Sequence, residues 1–146
     1  MRKKAGLEVK ITGDFVPKYH SAQAAGCDLC AAITGEVIIA AHDFCLIPTG
    51  VRVEIPDGYE AQVRPRSGLA KEYGIGVLNA PGTVDADYRG EIKVILFNYS
   101  DKPFKIKERD RIAQLVFGKV ERAKFVRVKR LKRTNRQSGG LGHTGI

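Results

Sequence analysis

The chain has 146 residues, 43 % of them hydrophobic and 28 % charged, the balance of a single globular domain with a real core. No apolar run approaches the ~20 residues that span a bilayer. The basic start Met1-Arg2-Lys3-Lys4 leads into Leu7-Glu8-Val9-Lys10-Ile11 and not into an apolar signal core, so a cytoplasmic protein without membrane association is expected. The formal net charge of +9 points to a polyanionic partner, either nucleic acid or a nucleoside triphosphate.

In chain order, short β-type runs occur at Glu8–Ile11, Cys27–Ala31, Val37–Ile39, Phe44–Pro48, Val51–Ile55 and Tyr59–Arg64. A short helix is predicted over Ser67–Tyr73, opened by Ser67 as its N-cap. Strands resume at Ile75–Leu78, Glu91–Asn98, Phe104–Ile106, Ala113–Lys119 and Phe125–Leu131. Turn signals such as Pro56-Asp57-Gly58 and Asn79-Ala80-Pro81-Gly82 divide them. Many short strands at near-regular spacing imply an all-β fold, a jelly-roll-like distorted barrel over residues 1–133. Residues 134–146 carry Gly139, Gly140, Gly142 and Gly145, cannot pack a core, and read as a mobile tail.

Much of the positive charge falls between Lys119 and Arg136. There Phe125-Val126-Arg127-Val128-Lys129-Arg130-Leu131 alternates apolar and basic residues, which favours a half-buried strand with a basic outer face over a nucleic-acid-binding stripe. The pairs Cys27-x-x-Cys30 and His42-x-x-Cys45 have a spacing that could wrap zinc. Strand alternation would send Cys27 and Cys30 to opposite faces, which favours free thiols.

Five segments carry candidate chemistry. In Ala25-Gly26-Cys27-Asp28-Leu29 a lone carboxylate sits in an apolar strand and needs a partner, either an arginine such as Arg66 or a metal-bound water. Pro65-Arg66-Ser67-Gly68-Leu69-Ala70 reads as a phosphate cradle or as a plain turn with a surface arginine. Gly82-Thr83-Val84-Asp85-Ala86-Asp87-Tyr88-Arg89-Gly90-Glu91 places two acids and an aromatic at a bend, as a general base beside a base-covering ring or as an ordinary turn. Gln114, leading a strand, could bind phosphate or satisfy a neighbour's backbone. Arg136-Gln137-Ser138-Gly139-Gly140-Leu141-Gly142-His143-Thr144-Gly145 could close over a polyphosphate, though it lacks the Gly-Lys-Ser/Thr of a Walker A loop.

In this order the five segments resemble the five motifs of the trimeric dUTPase family, from about Pro17 to Gly145. The resemblance implies a homotrimer with sites shared between subunits and Mg2+ as cofactor. The implied reaction is hydrolysis of dUTP to dUMP and pyrophosphate by water attack on the α-phosphorus. That reaction would limit uracil in DNA and supply dUMP for thymidylate synthesis. By position, Asp85 resembles the general base and Tyr88 the residue that packs against deoxyribose. Asn79 and the Leu78–Val84 hairpin, Val84 included, resemble the uracil reader. Asp28 resembles the carboxylate that orients magnesium-bound water. Arg66, Ser67, Gly68 and Gln114 resemble the phosphate binders, and Arg136, Leu141, His143 and Thr144 the closing tail. The chain departs from the family at Leu141, where a phenylalanine is usual. The related dCTP deaminases activate water with a glutamate beside the base, and here the nearest glutamate, Glu91, lies past the turn.

Overall fold

The computed structural model describes residues 6–145, so the basic start at Met1–Lys4 lies outside it. Eleven strands and one helix run β1 (Lys10–Thr12), β2 (Gly26–Cys30), β3 (Glu36–Ile39), β4 (Phe44–Pro48), β5 (Arg52–Glu54), β6 (Tyr59–Arg64), α1 (Ser67–Tyr73), β7 (Ile75–Val77), β8 (Gly82–Val84), β9 (Lys93–Asn98), β10 (Phe104–Lys107) and β11 (Arg111–Lys119). Pairing is antiparallel and joins strands far apart in sequence, as a jelly roll requires. A four-stranded sheet has the order β2-β11-β6-β8 and a three-stranded sheet the order β4-β9-β7. The pairs β1-β5 and β10-β3 complete the fold.

Alternation along the strands builds the core. On β2, Cys27 and Leu29 point inward while their neighbours are half-exposed. Val63 on β6, Leu115 on β11, Ile47 on β4 and Leu96 on β9 join them in one apolar cluster, each 5 % exposed or less. The buried Asn98 donates to the carbonyls of Ile39 and Lys102, at 3.1 and 2.7 Å, and ties β9 to β3. Among the described residues, no helix is long and apolar enough to cross a membrane.

Three expectations about the strands need correction. Phe125–Leu131 forms no strand: Phe125 is 94 % and Leu131 84 % exposed. The chain leaves the sheet from β11, an interior strand, and the segment pairs with none of the described strands. Both faces of the segment also carry cations, Arg127 and Lys129 on one and Arg130 on the other, so neither suits a core. Second, Gly82–Val84, read as part of a bend, is a strand, with Val84 opposite Ala61 and Gly82 opposite Val63 on β6. Third, Leu78–Val84 is no hairpin ladder. β7 pairs with β9 and β8 with β6, so the segment links two sheets, turning at Val77–Ala80 with a cis Ala80–Pro81 bond.

Candidate active site

The first cluster grows from β8. Directly after it the chain makes a tight turn in which the Tyr88 N–H donates to the Asp85 carbonyl at 3.1 Å. Arg89 pins the turn through its guanidinium, which donates to the carbonyls of Ala86 and Tyr88 at 2.6 and 3.1 Å. The Tyr88 hydroxyl donates to the Glu91 carbonyl at 2.9 Å, so the ring is held at both ends. It lies against Gly90: a Cβ there would stand 2.8 Å from ring Cε2, inside van der Waals contact. A cleft of about 390 Å³ opens beside the ring, lined by Asn79, Val84, Asp85 and Tyr88 together with Arg52 and Lys93. The Asp85 side chain is exposed and, among the described residues, forms no ion pair.

The second cluster centres on Asp28 of β2, whose side chain is 13 % exposed. Its Oδ1 faces Arg66 Nε at 3.3 Å, and its Oδ2 faces Arg111 Nη1 and His20 Nε2, each at 3.2 Å. Two guanidinium groups thus meet the charge that burial would otherwise penalise. Arg66 also donates to the Arg111 carbonyl at 3.0 Å, which fixes the fork and leaves further N–H groups for an anion. Gln114 lies opposite Asp28 in register, packs on Gly26, and donates to the Pro65 carbonyl at 3.0 Å, steadying the approach to α1. The N-cap is Arg66, in an extended conformation and with no side-chain cap, so Ser67 is the first helical residue and not the cap. Its hydroxyl is thereby released from capping, and Ser67 and Gly68 stay exposed beside Arg66. Burial pushes the nearby Cys30 thiol up from its ordinary range, and Asp28 adds to the effect against the pull of the arginines.

The two clusters do not meet within one chain. β2 and β8 are opposite edges of the four-stranded sheet, three inter-strand steps apart, or about 14 Å at ~4.8 Å per step. The tail joins neither. Arg136 Nε donates to the Gly139 carbonyl at 2.7 Å, and the His143 N–H to the Gly140 carbonyl at 2.8 Å. Leu141 and Thr144 are exposed. Among the described residues no three His, Cys, Asp or Glu side chains converge on a metal position, and Cys27, Cys30 and Cys45 are free, which leaves the zinc spacing without a site.

Several contributors escaped the sequence reading. His20 and Arg111 on Asp28, and Arg52 and Lys93 in the cleft, lie far from the five segments' key positions or are common surface types. Glu91 does line the cleft, but its Oε1 accepts from the Gly50 N–H at 2.8 Å, a structural tie that disfavours a deaminase glutamate.

Comparison with known proteins gives a consistent picture. The dUTPase family model matches residues 14–145. The deoxyuridine 5'-triphosphate nucleotidohydrolase of Caldanaerobacter subterraneus subsp. tengcongensis is 51 % identical over 144 residues, covering 96 % of this chain and 97 % of that protein. The protein of the same name from Cytophaga hutchinsonii is 51 % identical over 137 residues, covering 94 % of this chain and 89 % of that one. Among solved structures, a Staphylococcus bacteriophage 80alpha dUTPase with dUpNHpp superposes with a TM-score of 0.86 at 21 % identity, covering 95 % of this chain and 99 % of that one. The dUTPase of phage phi11 of S. aureus, in a form that coordinates a structural Mg(II) ion, gives a TM-score of 0.75 at 22 % identity, covering 84 % of this chain and 97 % of that one.

Proposed function

The chain belongs to the dUTPase family, and from that premise we propose how its own residues carry out the hydrolysis. It is a dUTP diphosphatase, converting dUTP to dUMP and pyrophosphate. The nucleoside enters the cleft beside β8. Asn79 and the backbone of residues 78–84 read the uracil edge, with Val84 forming the floor. Tyr88 packs against the deoxyribose, where a ribose 2′-hydroxyl would collide with its fixed ring. Asp85 takes the proton of the water that attacks the α-phosphorus, a role open to it because its carboxylate is exposed and outside any described ion pair.

Arg66, Ser67, Gly68 and Gln114 bind the triphosphate. Arg66 still has N–H groups beyond those on Asp28 and Arg111, and Gln114 has a second amide hydrogen. Asp28 fits magnesium in an outer-sphere role. Its charge is already met by two arginines and no second carboxylate stands with it, but its oxygens can accept from a metal-bound water. When bound, the metal neutralises and orients the triphosphate. Positioning and electrostatics then supply most of the rate. The free thiols fit a cytoplasmic, reducing setting.

One observation carries the assembly. The nucleoside cleft and the phosphate cluster stand on opposite edges of one sheet, which supports a site completed between subunits. In a homotrimer the β8 edge of one subunit faces the β2 edge of another, and the tail of the third, with Arg136, Leu141, His143 and Thr144, closes over the nucleotide. A pyrophosphate-release assay with dUTP, UTP, dTTP and dCTP tests the account. Turnover should be selective for dUTP, and Asp85→Asn should lower kcat by about 10²- to 10⁴-fold. Equal turnover of UTP would remove Tyr88 from its role, and full activity in Asp85→Asn would remove the base.

A further inference from the structure

The corner between β4 and β5 holds a polar side chain that a core would ordinarily exclude. Thr49 is 0 % exposed, and its hydroxyl donates to the Ile92 carbonyl at 2.5 Å. Gly50 follows with φ at 66–67°, a left-handed bend that glycine adopts without strain, and its N–H donates to Glu91 Oε1 at 2.8 Å. The Ile92 N–H in turn donates to the Val51 carbonyl at 2.8 Å. Three hydrogen bonds thus join this corner to Glu91 and Ile92.

Glu91 is half-buried in a cleft that Arg52 and Lys93 also line, yet among the described residues it forms no ion pair. Its carboxylate accepts from a backbone N–H, a charge-assisted bond stronger than a neutral one. Its own carbonyl accepts the Tyr88 hydroxyl at 2.9 Å. The ring reaches that carbonyl across Gly90, where a Cβ would collide with it. The outer end of the Tyr88 ring is therefore held only as firmly as Glu91 is held, and Glu91 is held by the Gly50 N–H.

We infer that Glu91 is a positioning residue for sugar discrimination: tied to Gly50, it fixes the carbonyl that anchors Tyr88 and so sets how firmly the ring refuses a ribose 2′-hydroxyl. The inference rests on the placement of Tyr88 against deoxyribose. Glu91 acts through that ring and not on the attacking water, so its loss falls on KM and selectivity more than on kcat. Nothing in this relay requires a face of the chain to be free of a neighbouring subunit.

The test is steady-state kinetics of the full chain with dUTP and UTP. Glu91→Ala should raise KM for dUTP about threefold, with a smaller change in kcat, and narrow the dUTP/UTP ratio of kcat/KM about fivefold. Glu91→Gln keeps an oxygen to accept from Gly50 and should restore most of that ratio. The tie and the hydroxyl act in series. Tyr88→Phe should therefore narrow the ratio alone, and adding Glu91→Ala should narrow it little further. If Glu91→Ala does not fold, Thr49→Val, which removes the neighbouring tie to Ile92, is read in the same way with Thr49→Ser as its rescue. Tyr88→Ala separates the two levels. If it collapses the ratio, then an unchanged ratio in Glu91→Ala, an equal loss in Glu91→Gln, or additive losses in the double variant overturns the inference alone. If Tyr88→Ala leaves the ratio unchanged, the placement of Tyr88 fails and the inference falls with it.

Discussion

The two edges of the four-stranded sheet each present a carboxylate, and they hold it in opposite ways. On β2, Asp28 is largely buried and engaged by Arg66, Arg111 and His20. Beside β8, Asp85 is exposed, and the order around it comes from backbone: the turn to Tyr88 and the Arg89 clamp on its carbonyls. A carboxylate flanked by cations serves as a fixed point for charge. One held only by the path of the chain keeps its oxygens available for a proton. The same residue type therefore supports two roles, and the neighbours decide which.

Substitutions on each edge should break this contrast in different kinetic terms. After the loss at Asp85→Asn, the largest effect is expected at Arg66→Ala, which removes a partner of a mostly buried charge and, on the proposed roles, a phosphate donor. A loss of about 3 kcal/mol, or roughly 100-fold in kcat/KM, is expected, with lowered thermal stability. Calorimetry alongside kinetics checks both halves. On the other edge, Gly90→Ala pushes a methyl into the Tyr88 ring. Loss of ring placement should raise KM for dUTP about tenfold and narrow the gap between dUTP and UTP, with stability nearly kept. If that gap is untouched, the Tyr88 ring does not set sugar selectivity.

Smaller effects sharpen the picture. Gln114→Ala deletes the hydrogen bond to Pro65 and leaves that carbonyl half-buried, a cost of about 1 kcal/mol or roughly fivefold in KM. Leu141→Phe adds an aromatic face to the tail and should improve closure by about 0.5–1.5 kcal/mol, read as a lower KM. An unchanged KM and kcat would show that the tail residue does not cover the base.

The strands were legible where period-two alternation ran for five or six residues. Phe44–Pro48, Tyr59–Arg64 and the helix at Ser67–Tyr73 fall where the sequence places them. Gly82–Val84 was not, because three residues after Pro81 give no alternation to read. Phe125–Leu131 failed for the reverse reason: its alternation is real, but a strand also needs a partner, and none of the described strands pairs with it. Within the site, Asp28 with Arg66 was one of the pairings the residues suggested, since a carboxylate in an apolar strand requires a partner. The contact of Gly90 with the Tyr88 ring, and the reach of His20 to Asp28, depend on how irregular segments bend, which residue type alone does not encode.

The central claim, that the two edges complete one site only between subunits, has a direct test in mixed trimers. Asp85→Asn and Arg66→Ala, each nearly inactive alone, are unfolded together in equal amounts and refolded. Random assortment predicts recovery of about one quarter of wild-type kcat, because that share of the interfaces joins an intact β8 edge to an intact β2 edge. No recovery, with mixed trimers verified by mass spectrometry, would place both halves of the site in one chain and contradict the account.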